Sequence, residues 1–273
     1  MVAVPPEDIH RASLIALRRL LAEEKADPAK LMGEAFQQVL AYRLRLVGRA
    51  IVRACGFSVQ GGPFFGMAYL DVPLGRQLVP KLLGSYELEL HPILYSAPAR
   101  RYRSVVNIGC GEGYYAVGLA RMLSGVTVHA FDSDARARQL CRRLAEINKV
   151  ADRIVIGATC TAALLGAVLA NMTLLICDCE GCEVELLDPA KVPGLAHCDI
   201  LVELHDLDDP RISEAVIQRF RATHDVQFID HAGRDPGRYS ILRGLGQIDQ
   251  FLALWEGRAG PTPWAFMRRR GRR

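Results

Sequence analysis

The chain has 273 residues, half of them hydrophobic and 23% charged. That balance excludes a disordered or fibrous protein, and the length allows one large domain or two small ones around an ordinary core. The formal charge of +4 leaves an acidic partner open until the charges are located.

The segment MVAVPPEDIH lacks a basic stretch followed by an apolar one, so no secretory signal is expected. The longest apolar run, 164–176, is broken by Gly166, Asn171 and Thr173 and is too short for a bilayer. Eight cysteines in such a chain predict reduced thiols and a cytoplasmic location. Residues 7–57 predict two helices. Ile9, Leu14, Leu17, Leu20 and Leu21 recur at helical spacing, as do Leu31, Phe36, Val39, Leu40, Leu44 and Leu46. The junction is Ala26-Asp27-Pro28, with Pro28 suited to a first turn. Residues 58–75, with Gly61, Gly62, Pro63, Gly66, Pro73 and Gly75, are turn-rich and predict short strands within Phe64–Leu70. Residues 77–97 read as helical around Leu78, Leu82, Leu83 and Leu90.

From residue 104 apolar strands and amphipathic helices alternate. Strands are predicted at Ser104–Ile108, Val126–Phe131, Ile154–Ile156, Leu174–Cys177 and Ile200–Leu204, with Val226–Ile229 and Tyr239–Leu242 closing the sheet. Helices are predicted at Tyr114–Leu123, Ala135–Asn148, Thr161–Leu169, Val184–Leu187 and Ile212–Thr223. This is an α/β pattern, a mostly parallel doubly wound sheet covered on both faces. Ligands of such sheets bind beyond the carboxyl ends of the strands.

The first strand ends in Asn107-Ile108-Gly109-Cys110-Gly111-Glu112-Gly113-Tyr114. Its glycines permit a tight turn and close backbone approach to a ligand. Tyr114 stands where a nicotinamide fingerprint needs its third glycine, which argues against a dehydrogenase. The second strand ends at Asp132-Ser133-Asp134. A carboxylate about 20 residues past such a loop is placed to hold both hydroxyls of a ribose, while Asp134 suits the cap of the next helix. The fourth strand runs into Asp178-Cys179-Glu180-Gly181-Cys182-Glu183, and the fifth ends at Glu203-Leu204-His205. Asp178 and Glu180 share a face if strand geometry persists beyond the fourth strand, and Glu203 shares one with His205 at the tip of the fifth.

Together these residues resemble the class I methyltransferases that use S-adenosylmethionine and, within them, the FkbM family, over roughly residues 84–245. That family shares an aspartate, an E-G-x-E element after strand four, and a carboxylate and histidine after strand five. Here these are Asp178, Glu180-Gly181-Cys182-Glu183, Glu203 and His205. The resemblance implies a Rossmann-like fold and S-adenosyl-L-methionine as cofactor. Gly109, Cys110, Gly111 and Gly113 would pass under its methionine part. Asn107 would meet its amino end, where many class I enzymes carry an acid. Asp132 would hold the ribose, Ser133 would flank the adenine, and Thr159 and Cys160 would flank the adenine edge. Asp178 would lie near the sulfonium and the incoming nucleophile.

An alcohol acceptor must lose a proton. His205 suits the role of base by its ordinary pKa, with Asp178 and Glu203 as alternative bases or as its orienting groups. Glu180 is a candidate acceptor contact, or, with Glu183, caps the helix that follows. Tyr86 and Glu87, before the first strand, are candidate lid or acceptor contacts. Cys177, Cys179 and Cys182 offer one C-x-x-C without a second pair, so no zinc is expected. Asp178, Glu203 and His205 would suit a hard cation, but the expectation is an enzyme without a metal.

The expected organisation is an N-terminal helical lid or dimerisation region (1–76), a cofactor-binding methyltransferase domain (77–247) and a C-terminal extension with a basic tail (248–273). Trp264 and Phe266 either tuck back onto the domain or mark a loose tail. Five of the last six residues are arginines, and without them the chain is close to neutral. A terminal run of this kind is expected to be solvated. The expected activity is O-methylation of a small-molecule hydroxyl, on a sugar or secondary metabolite. The partners expected are that acceptor and a second copy of the chain, with neither membrane nor nucleic acid. Alternatives are a nucleic-acid or protein methyltransferase, or a non-catalytic cofactor-binding scaffold.

Overall fold

In the computed structural model, residues 6–22, 27–71, 77–206, 211–258, 260 and 262–271 are described. The first five residues of the N-terminal stretch, the junction residue Ala26, the turn residues Pro73 and Gly75, and the tail residues Arg272 and Arg273 lie outside them. The helices are α1 (Pro6–Leu21), α2 (Pro28–Cys55), α3 (Leu78–Leu83), α4 (His91–Ser96), α5 (Tyr114–Met122), α6 (Ala135–Ile147), α7 (Ala162–Val168), α8 (Glu183–Leu186), α9 (Ile212–Phe220) and α10 (Gln247–Leu254). The strands are β1 (Ser104–Ile108), β2 (Thr127–Phe131), β3 (Ile154–Gly157), β4 (Thr173–Cys177), β5 (Asp199–Glu203), β6 (His224–Ile229) and β7 (Trp264–Arg269).

The chain divides into two compact units. One comprises Met1–Gly56, Pro73–Pro80 and Asp235–Glu256. Within it α1 and α2 pack together, and α10 packs on α2. Asp27 caps α2 by accepting from the Ala29 amide. Arg43 of α2 forms a forked pair with Asp249 of α10, both bonds 2.6 Å.

The second unit comprises Phe57–Val72, Lys81–Arg234 and Gly257–Arg273 and holds the sheet, in the order β3-β2-β1-β4-β5-β7-β6. β1 to β5 run parallel, and β7 is antiparallel to both β5 and β6. β1, β4 and β5 are buried at every residue, as expected for central strands covered on both faces. Val106, Leu175, Cys177, Val202, Leu204 and Met267 point into one core with α8 and α9. Alternation therefore turns Asn107, Asp178, Glu203, His205 and Trp264 to the opposite face. There Tyr114 and Tyr115 stack with Phe64 and Tyr86, and Tyr115 also meets Trp264.

Several expectations need correcting. Tyr239–Leu242 is no strand; Ser240–Leu242 is a 3-10 turn. The sheet instead takes its last strand from residues 264–269, beyond the boundary expected at 247. All of Trp264, Ala265, Phe266 and Met267 are buried, so the loose-tail alternative fails. Arg268 and Arg270 pair with Asp225 at 3.5 and 2.9 Å, so this part of the basic run is tied down. Within Phe64–Leu70 there is one isolated bridge, Ser58 with Ala68, in place of strands. Cys179 and Cys182 are joined by a disulfide rather than reduced. Among the described residues, no helix is long and apolar enough to cross a membrane.

Candidate active site

The glycine loop joins the carboxyl ends of β1, β2 and β4. Gly109, Gly111 and Gly113 have φ of +73°, +53° and +98°, which cost other residues about 1–2 kcal/mol each. At Gly109 space is a second constraint, because a Cβ would lie 1.5 Å from the Asp178 carbonyl oxygen. Backbone hydrogen bonds fix this crossing. The Gly109 and Cys110 amides both donate to the Phe131 carbonyl at 2.9 Å, and the Asp178 amide donates to the Ile108 carbonyl at 3.0 Å. Asp132 extends it, accepting from the Gly111 amide on Oδ2 and from the Asp134 amide on Oδ1, each at 2.8 Å. Asp134 itself caps α6. Half-buried Asp132 thus fixes the loop while each of its oxygens keeps accepting capacity.

The other expected cofactor contacts divide. The Asn107 side chain is buried and its Oδ1 has no partner. Ser133 and Thr159 are exposed. Cys110 is buried against Cys141 of α6. Cys160 belongs to the core on the far face, where burial pushes its thiol up to about 11; this segment offers a ligand its backbone and Thr159, not that thiol. The loop's own acid, Glu112, is already engaged. It accepts from Lys81 at 2.5 Å and from Tyr69. Burial works against its charge, yet Lys81 holds its carboxyl below the usual range.

Beyond β4 and β5 stands a second group of residues. The His205 imidazole is buried, and its Nδ1 is 2.8 Å from Oε1 of fully buried Glu183. The same oxygen accepts from the Cys179 and Gly181 amides at 3.4 and 3.3 Å. Glu183 therefore anchors both the loop and the histidine instead of simply capping α8. His205 Nε2 lies 3.5 Å from Glu203 Oε2, 3.7 Å from Asp178 Oδ1 and 3.6 Å from Oε2 of exposed Glu180. Glu203 also meets the Arg258 guanidinium, which reaches Glu87 Oε1 at 2.6 Å and the Thr262 hydroxyl. Glu87 is 1% exposed and its other oxygen accepts from Tyr115.

These contacts set the protonation states. Burial, and then the neighbouring Glu203, push the Asp178 carboxyl well above its ordinary range. Burial opposes charge on Glu203 as well, but the hydrogen bond from Asp178 and the Arg258 guanidinium hold it below that range. The two carboxyls are thus pushed in opposite directions. Burial opposes the imidazolium, but the hydrogen bond to Glu183 and the surrounding carboxylates outweigh it and raise His205. Tyr86 is pushed well above 10, first by burial and then by Glu87. Asp178, Glu180, Glu203 and His205 are brought together, but β4 ends at Cys177 and Glu180, at φ +55°, is placed by the turn and not by strand alternation. Arg258 has no counterpart in the sequence reading; it lies in an irregular stretch with no period to mark it.

A sheet of this order with one reversed strand, a glycine loop after β1 and a carboxylate after β2 is the class I methyltransferase fold. No family model matches the chain. It is 26% identical over 151 residues to a protein of Pyrobaculum calidifontis named probable cobalt-precorrin-6B C(15)-methyltransferase (decarboxylating); the match covers 55% of this chain and 77% of that protein. Among solved structures it is similar to the O-methyltransferase of Bacillus cereus in complex with SAH, with 14% identity, a TM-score of 0.44, and 83% and 90% of the two chains covered. It is also similar to the O-methyltransferase TomG of Streptomyces achromogenes in complex with SAM, with 14% identity, a TM-score of 0.44, and 73% and 92% covered.

Proposed function

We propose that the chain is an S-adenosylmethionine-dependent methyltransferase acting on a hydroxyl of a small molecule. The observation that carries this reading is the junction of β1, β2 and β4: a glycine cradle tied by Asp132, beside a buried acceptor, Asn107 Oδ1, that has no partner among the described residues. A buried orphan acceptor is costly. The amino group of the cofactor's methionine part would satisfy it, so the residues fit the group. Gly111, where an added Cβ would meet nothing within 4 Å, leaves room beside it. Asp132 has lone pairs left for the ribose hydroxyls. The curated relative's name supports methyl transfer in general, and the FkbM-like run from Asp178 to His205 supports oxygen as the acceptor atom.

When bound, the cofactor supplies an electrophilic methyl on a sulfonium, and the chain's residues must set an acceptor in line with it. Asp178, Glu203 and His205 stand at the carboxyl ends of β4 and β5 and would receive the hydroxyl. The carboxylates around His205 make it hold a proton more tightly than a free histidine, so it can act as the base only once that proton has left. Glu203, held below its ordinary range beside Arg258, remains the alternative base or the group that orients His205. Tyr86 and Glu87 are buried and wall the site. They are fixed elements of it, with Glu87 locked to Arg258 and Tyr115.

Titration calorimetry with S-adenosylhomocysteine tests the reading. Saturable one-to-one binding, lost in Asp132→Ala, is expected. Failure to bind while a nicotinamide dinucleotide binds would overturn it.

A further inference from the structure

We propose that Asp178 Oδ1, Glu203 Oε2 and His205 Nε2 together bind one divalent transition-metal ion. Each of the three residues offers one ligand atom within 4.8 Å of the others', and Nε2 is 3.7 Å from Asp178 Oδ1 and 3.5 Å from Glu203 Oε2. Those separations are long for hydrogen bonds. They match donors sharing an ion, since atoms about 2.1 Å from one centre stand about 3.0–3.7 Å apart at angles of about 90–125°.

A second observation concerns the histidine itself. Its side chain is only 7% exposed, yet Nε2 makes no hydrogen bond to any described residue and is aimed between the carboxylates. The opposite nitrogen is fixed at 2.8 Å by Glu183, which is fully buried. A carboxylate gripping the far nitrogen of a histidine is how proteins set the tautomer and aim of a metal-ligating imidazole. It keeps a hydrogen on Nδ1 and turns Nε2 toward the carboxylates, where an ion would take the place of that nitrogen's proton.

Charge points the same way. Asp178, Glu180, Glu183, Glu203 and Glu87 crowd around one histidine and one arginine. An ion held among them would offset part of this negative charge, with Glu180 Oε2 3.6 Å from the same histidine nitrogen. The donor set, two oxygens and one imidazole nitrogen, favours ions such as Mn2+, Fe2+ or Zn2+ over Mg2+ or Ca2+, which prefer oxygen alone. The inference stands on these side chains and not on the methyl-transfer reading.

The test uses the full chain, stripped by chelator, and Mn2+ as the probe; Mn2+ is chosen over Zn2+ because Cys177 and the Cys179–Cys182 pair lie close by. Calorimetry should give one saturable site. Asp178→Asn and His205→Gln should each weaken it at least tenfold, and Glu183→Gln about 10–100-fold. Cys177→Ser should leave it unchanged. Electron spin-echo modulation on wild-type protein should show one coupled imidazole nitrogen, a readout that survives if a variant fails to fold. The proposal is overturned if wild type has no saturable site, if both ligand variants bind Mn2+ as wild type does, or if no nitrogen is coupled. S-adenosylhomocysteine titrated into the same samples separates failure of the ion site from failure of the cofactor site.

Discussion

Gly109→Ala should be far more damaging than Gly111→Ala, although both glycines belong to one loop and both have positive φ. At Gly111 an added Cβ meets nothing within 4 Å, so the cost is the left-handed conformation alone, about 1–2 kcal/mol. At Gly109 the Cβ would fall 1.5 Å from the Asp178 carbonyl oxygen. Backbone cannot rotate away as a side chain can, so the loops after β1 and β4 must part. Separation endangers the Asp178 amide bond to Ile108 and the Gly109 amide bond to Phe131, at 3.0 and 2.9 Å. Each is worth about 0.5–1.5 kcal/mol, so with the conformational cost the total is about 2–5 kcal/mol. For a domain of this size that is about 5–15 °C in Tm. Differential scanning calorimetry on both variants, with S-adenosylhomocysteine binding measured on the folded fraction, decides it. Gly111→Ala should melt within about 2–6 °C of wild type and lose ligand affinity, since its Cβ would enter the open side of the cradle. Equal melting losses would refute the claim that the two loops touch at Gly109.

Four further outcomes are expected. Asp132→Asn should cut S-adenosylhomocysteine affinity about tenfold or more while leaving Tm within a few degrees, because an amide oxygen still accepts from Gly111 or Asp134 but loses charge-assisted bonds to a ribose; unchanged affinity counts against the ribose assignment. Asp199→Ala should destabilise by about 2–4 kcal/mol in urea, since Tyr102 donates to Asp199 at 2.7 Å and the Arg269 amide at 3.0 Å and both donors would be left buried. A loss below about 1 kcal/mol would show that the β5–β7 edge does not depend on it. Arg258→Met should cost about 3–5 kcal/mol by leaving Glu87 and Glu203 buried without their cation, and adding Glu87→Gln should recover part of it; no recovery would mean the pair is not coupled. His224 is lowered by burial, with Asp199, Asp225 and Arg270 nearby. The unfolded chain therefore binds its proton more readily, and stability should fall as pH drops below about 6.5. His224→Gln should flatten that slope between pH 7 and 5, and an unchanged slope would exclude His224 as its source.

The parallel strands were legible because each is a short apolar run ended by a turn, and burial on both faces demands such a run. β7 was hidden for a physical reason. Its segment, Trp264 to Arg269, follows Pro263 and ends in arginines, so it reads as the start of a basic tail. An antiparallel strand inserted late between β5 and β6 needs no helix after it, and the strand–helix rhythm used to find the others gives no signal there. Its arginines are held by groups on distant parts of the chain: the Asp199 carboxylate accepts from the Arg269 amide, and Asp225 pairs with Arg268 and Arg270.

The same distinction divides the site. Asp178, Glu203 and His205 could be read because a charged residue at the end of an apolar strand is costly unless it is paired or used, and strand alternation says which of them share a face. Their protonation could not be read, because it depends on Arg258, 55 residues beyond Glu203 and in no regular element. That cation holds the Glu203 carboxyl below its ordinary range, while burial and the neighbouring Glu203 push Asp178 above its own. The histidine chosen from sequence for its ordinary pKa is thus the one whose pKa its neighbours move upward. Glu203, read from sequence as an alternative base or an orienting group, is the carboxyl that Arg258 holds below its ordinary range. The direction of the Glu203 shift is set by a long-range ion pair, not by local spacing.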